Sequence, residues 1–114
     1  MSELLVYQKA YSLLLDVFAR TDGFPKSKRF SLGQRLETRL LDMVSMLHGY
    51  RYARNKAARA VEISVCFDEV KLLLKIGHDA KIISRPAFAH LVERCDEIGR
   101  MLGGLSKKTV DQTK

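Results

Sequence analysis

The side chains able to do chemistry in this 114-residue chain are mostly cations, and they are gathered in one place. Lys26, Lys28, Arg29, Arg35, Arg39, Arg51, Arg54, Lys56 and Arg59 lie within residues 24–59, nine of the twenty bases in the chain, and only Glu37 and Asp42 oppose them there. That surplus of seven equals the formal net charge of the whole protein, because the other eleven bases are matched by eleven acids. So concentrated a field raises the local concentration of polyanions and speeds their arrival. The chemistry on offer is neutralisation of phosphates, which positions a nucleic acid without reading its sequence. Phe30, Tyr50 and Tyr52 are too sparse to form a row of stacking rings. The plain alternative is a solvated basic face.

Other reactive constellations do not emerge. His48, His78 and His90 stand apart, with no acid or cysteine at metal-ligand spacing, so no metal site is expected. There is no Glu-x-x-His of a di-iron bundle, no glycine-rich phosphate loop and no Gly-x-Ser-x-Gly. Asp68-Glu69 and Asp96-Glu97 are adjacent pairs, which point to different faces of a helix and cannot form a carboxylate dyad. No catalytic residue, cofactor or small-molecule substrate is expected. Cys66 and Cys95 read as small core residues, held close together as thiols.

Four helices must position the basic band. The first spans about Ser2 to Arg20, with Leu4, Tyr7, Tyr11, Leu14 and Phe18 as one apolar stripe and Leu5, Ala10, Leu13 and Val17 as a second. Gly23 and Pro25 break it. The second opens at Ser31 as N-cap and continues to roughly Arg54, with Leu32, Leu36, Leu40, Met43, Leu47 and Tyr50 as its stripe. Arg35 and Arg39 border that stripe on one side and Arg51 on the other, so each can lay its stem on apolar surface. The third covers about Lys56 to His78. It has two flanks, Val61, Val65, Leu72 and Ile76 on one and Ile63, Phe67, Val70 and Leu74 on the other. The fourth begins after Ser84, with Pro86 in its first turn, carries Phe88, Leu91, Cys95, Ile98 and Leu102, and stops at Gly103-Gly104. Short connections between helices of this length imply an all-α, antiparallel up-down four-helix bundle.

The chain reads as one domain over residues 1–105, followed by a polar, disordered tail over 106–114. An acid at position 3, where an export signal would place a base, and the lack of any apolar run near ~20 residues point to the cytoplasm and away from a membrane. Apolar flanks wider than one bundle seam on the first and third helices point to self-association.

The succession FPKSKRFSLGQRL, then a third helix, then EIGRMLGG, resembles a small four-helix-bundle superfamily with two branches. One branch holds the accessory variability determinant (Avd) proteins of diversity-generating retroelements. The other holds the protein encoded by intervening sequences in bacterial 23S ribosomal RNA genes. The second branch closes its second helix with Asn-Ile-Ala-Glu-Gly, whereas this chain has Ser45-Met46-Leu47-His48-Gly49. Arg29-Phe30, Leu32-Gly33 and the closing Glu97 to Gly104 look like the Avd side, although Leu105 stands where such sequences often carry Trp. The Avd resemblance implies a homopentamer and a non-catalytic accessory that binds the reverse transcriptase and its template RNA, or RNA/DNA, in support of mutagenic cDNA synthesis. Two alternatives stand beside it. One is the ribosomal-RNA-associated branch; the other is an oligomeric scaffold whose arginines pair with acids of a neighbouring subunit and never meet nucleic acid.

Overall fold

The computed structural model describes the backbone of residues 2–113 and the side chains of residues 4–105. Among the described residues the regular elements are all helical, with four long helices: α1 (Ser2–Thr21), α2 (Gln34–His48), α3 (Lys56–Asp79) and α4 (Arg85–Thr113). The chain is all-α. Each long helix packs on two others, α1 on α2 and α4, and α3 on α2 and α4.

The core shows which of the apolar stripes won. In α1 the buried residues are Val6, Ala10, Leu13, Leu14 and Val17, while Leu4, Tyr11 and Leu15 stay about half exposed. In α3 the flank Ile63, Phe67, Val70 and Leu74 goes inward, joined by Ala60, Cys66 and Leu73. The other flank, Val61, Val65, Leu72 and Ile76, is exposed. The stripes of α2 and α4 are as expected, with Leu36, Leu40, Met43 and Leu47 facing Leu91, Cys95, Ile98 and Leu102 within one core. Burying each such side chain contributes about 1.5–3 kcal/mol.

The connections depart from expectation at three points. Ser31 is not an N-cap: the chain is already helical at Lys26–Lys28 and crosses Arg29–Gly33 as a π-helical turn before α2. The Ser31 hydroxyl instead donates back to the Ser27 carbonyl at 3.2 Å. Phe24 is buried under this turn, and a Cβ on Gly33 would stand 3.4 Å from its ring. The wider turn carries the chain over that ring without a fresh start. Second, α2 stops at His48 rather than near Arg54, and a 3-10 turn, Tyr50–Tyr52, tucks Tyr50 into the core at 2% exposure.

Third, Gly103 and Gly104 do not stop α4, and no glycine takes a positive φ. Nothing lies within 4 Å of a Cβ at either position, so these are helical glycines facing open space. The helix assignment runs on to Thr113, past the point at which the sequence suggests a disordered tail; the side chains of 106–114 lie outside the described residues.

The remaining boundaries match their local chemistry. Asn55 caps α3, its Oδ1 accepting from the Ala58 N–H at 2.9 Å. Ser84 caps α4, its Oγ accepting from the Ala87 N–H at 3.3 Å. At the end of α3 the left-handed position falls on Lys81, with φ 63°, and not on a glycine. The Gly77 carbonyl accepts from the N–H groups of Ile82 and Ile83 there, at 2.8 and 3.0 Å. Gly77 itself lets two side chains close in: a Cβ there would lie 2.6 Å from Ile83 Cδ1 and 3.3 Å from Leu32 Cδ2, so the Ile83 side chain would have to shift.

Candidate nucleic-acid interface

Folding divides the nine bases of the band by the company they keep. Arg35 and Arg39 rise from the first turns of α2 and meet one carboxylate of α3. Arg35 Nη2 donates to Glu69 Oε1 at 2.8 Å. Arg39 Nε lies 2.9 Å from Glu69 Oε2, near enough for charge attraction but misaligned for donating its proton. Arg39 also reaches Asp42 at 3.5 Å. The hydrogen bond from Arg35, helped by both guanidinium charges, outweighs partial desolvation and holds the Glu69 carboxyl below its ordinary range. Glu69 was missed because it sits in an adjacent acid pair that offers no dyad. A hairpin turning about Tyr52 would have put position 35 level with 69, so spacing plus topology could have found it.

Arg59 has a lighter partner, Glu62 one turn on at 3.6 Å, and Arg29 reaches Asp22 at 3.3 Å in an exposed pair. Pairs of this kind are worth about 0–1 kcal/mol and do little to hold a side chain. Lys26, Lys28, Arg51 and Arg54 have no acid within ion-pair distance among the described residues. Lys56 donates to the Arg51 carbonyl at 2.9 Å and lies 6.0 Å from the centre of the Tyr50 ring. The Arg51 guanidinium carbon lies 6.0 Å from the centre of the Tyr52 ring.

The expected band is therefore two cationic ends with a neutralised middle. Lys26, Lys28 and Arg29 precede α2; Arg51, Arg54, Lys56 and Arg59 follow it. The 15-residue α2 that separates the two ends is roughly 22 Å long at 1.5 Å per residue. The second end borders a cleft of about 380 Å³ lined by Leu4, Tyr7, Leu47, His48, Arg51 and Tyr52. The Tyr7 and His48 rings stand 5.6 Å apart in it.

An ion-paired network around Asp16 and the two thiols lie outside the band. Asp16 of α1 receives Arg20 at 2.9 Å, Arg94 at 2.9 Å and His90 at 3.2 Å, while Arg94 also donates to Ser12 at 2.6 Å. Burial pushes the Asp16 carboxyl up, but Arg20 and Arg94 together outweigh it and hold it below its ordinary value. Cys66 and Cys95 are buried free thiols. Burial raises both, Cys95 to about 11, and Cys66 Sγ donates to the Arg39 carbonyl at 3.0 Å. Among the described residues no group of His, Cys, Asp or Glu is placed to hold a metal ion. No described helix is long and apolar enough to cross a membrane.

Fold and site together define a small, basic, all-α protein whose basic band keeps cations without an acid partner, among the described residues, at the two ends of its second helix. The family model described as bAvd-like matches residues 4–109, and the chain belongs to that family. The match runs through the segments FPKSKRFSLGQRL and EIGRMLGG, whose likeness pointed to the Avd branch. A comparison with curated proteins finds no match.

Proposed function

We propose that this protein is a non-catalytic, cytoplasmic accessory of a diversity-generating retroelement, which binds the reverse transcriptase and its template RNA as a homopentamer. Membership of the bAvd-like family supports the accessory role. The observation that carries RNA binding is the cluster Arg51, Arg54 and Lys56, which faces no acid among the described residues. Each protomer is read as an antiparallel up-down bundle. Cross-helix pairs in reversed order favour this: Tyr7 beside His48 with Thr21 bonded to Glu37, and Lys9 beside Glu97 with Asp16 beside His90. The exposed flank Val61, Val65, Leu72 and Ile76 is the surface most in need of a neighbouring subunit.

The scaffold reading keeps one specific support, since Arg35 and Arg39 are ion-paired within the chain. A single-stranded RNA titration at several salt concentrations decides between the two. RNA binding gives a log–log slope of about −0.7 per phosphate contact, whereas the scaffold shows no salt-dependent RNA binding. Light scattering on the same sample is expected to give five copies of the 13.0 kDa chain. A monomer would remove the assembly.

A further inference from the structure

Tyr52 is the most exposed of the large apolar side chains described, at 79%. Its placement is fixed by its neighbours. The Tyr52 N–H donates to the Gly49 carbonyl and the Ala53 N–H to the Tyr50 carbonyl, both at 3.0 Å. With Tyr50 anchored in the core, the ring two residues on is held outward. It stands at the rim of the 380 Å³ cleft, a size within the roughly 300–1,000 Å³ of small-ligand sites. The cleft's other rings are Tyr7 and His48, and Arg51 is the cation in its lining; Arg54 follows two residues after Tyr52 in the chain.

We infer that this cleft seats one unpaired nucleobase of a single strand, with Tyr52 as the stacking ring and Arg51 and Arg54 contacting the flanking phosphates. This rests on the RNA-binding reading above and goes beyond it, because phosphate contacts alone need no ring. Every base has a π-face, so such a seat takes any sequence, and cations at its rim hold the backbone. The next most exposed of the described aromatic rings in this class, Phe30 at 67%, is a poorer seat. Its groove is lined by Asp22 and Glu37 as well as Arg29, so a phosphate entering there meets two carboxylates. Among the described residues no acid lines the Tyr52 cleft.

The chain contains no tryptophan, so Tyr52→Trp installs a single indole reporter at the proposed seat. The assembled protein is titrated with oligouridylate and, separately, with inorganic polyphosphate of matched charge. Oligouridylate is expected to quench the indole emission, and polyphosphate is expected to bind without quenching. Tyr52→Ala is expected to weaken oligouridylate binding roughly 5- to 100-fold at unchanged salt slope, and to leave polyphosphate binding as it was. Equal quenching by both probes, or a Tyr52→Ala variant that binds oligouridylate like the parent, overturns the base seat and leaves RNA binding intact. A parent that binds neither probe overturns the RNA reading itself. An indole already shielded from iodide before any probe is added means that a second copy covers the cleft, and that too ends the proposal.

Discussion

Arg35 and Arg39 near the start of α2, and Arg51 and Arg54 just beyond its end, are the same side chain in the same basic stretch, yet they do opposite things. The first pair is clasped by Glu69 of α3, with Asp42 assisting, and spends its charge inside the protein. The second pair lies at a short turn, where no described acid comes within ion-pair distance, and keeps its charge for solvent or a ligand. A run of arginines thus fixes the sign of a field. Whether a given arginine can hold a phosphate depends on which acid the neighbouring helix brings level with it.

The sharpest test of that difference replaces Arg51, Arg54 and Lys56 together by Gln. If each neutralises one phosphate of a single strand, the salt slope flattens by about two units, and affinity falls roughly several hundred-fold at 0.05 M salt but little at 1 M. Filter binding across a salt series measures it. The oligomer should persist, because none of the three lies in the core.

A second variant probes an ion-paired network remote from both pairs. Asp16→Asn leaves Arg94 and Arg20 without their carboxylate and is expected to cost about 1–3 kcal/mol of stability, with RNA affinity unchanged. The folded-state carboxyl is held below its ordinary value, so its contribution is complete above the unfolded value of about 3.9 and fades as pH falls through the lower folded one. Parent and variant should therefore differ fully in denaturant midpoint at pH 7 and converge in acid below about pH 4. A difference that does not shrink at all as the pH falls below about 4 would mean that the loss is one of packing.

The smallest effect is expected from Arg35→Gln with Arg39→Gln. Stability should fall by about 1 kcal/mol, seen as a melting temperature lower by about 4–8 °C, because the pairs with Glu69 are partly exposed. The RNA salt slope should stay within about half a unit of the parent. A flattening as large as that of the Arg51, Arg54 and Lys56 variant would show that Glu69 yields these arginines to RNA, and the contrast between the two pairs would be lost.

Much of the fold is determined by local pattern. The 3.6-residue period of Leu36, Leu40, Met43 and Leu47, and of Leu91, Cys95, Ile98 and Leu102, sets two core faces without reference to anything distant. Ser84 and Pro86 mark the start of α4 because capping is a matter of three or four neighbouring residues. Where two apolar stripes lie side by side, as in α1 and α3, the sequence could not say which turns inward. Both are apolar, and the choice, which in α1 buries Leu14 of one stripe with Ala10, Leu13 and Val17 of the other, belongs to the helices that pack against them. Ser31 carries a strong local signal that tertiary packing overrode by burying Phe24 beneath a π-turn, whereas α4 runs through Gly103-Gly104 with both facing open space. The candidate site divides in the same way. That the second helix and its flanks are basic is a property of composition. That Glu69 silences Arg35 and Arg39, and that Tyr50 turns inward while Tyr52 turns out beside Arg51, was decided only when distant residues were brought within a few ångströms, because ion pairing and burial act between neighbours in space.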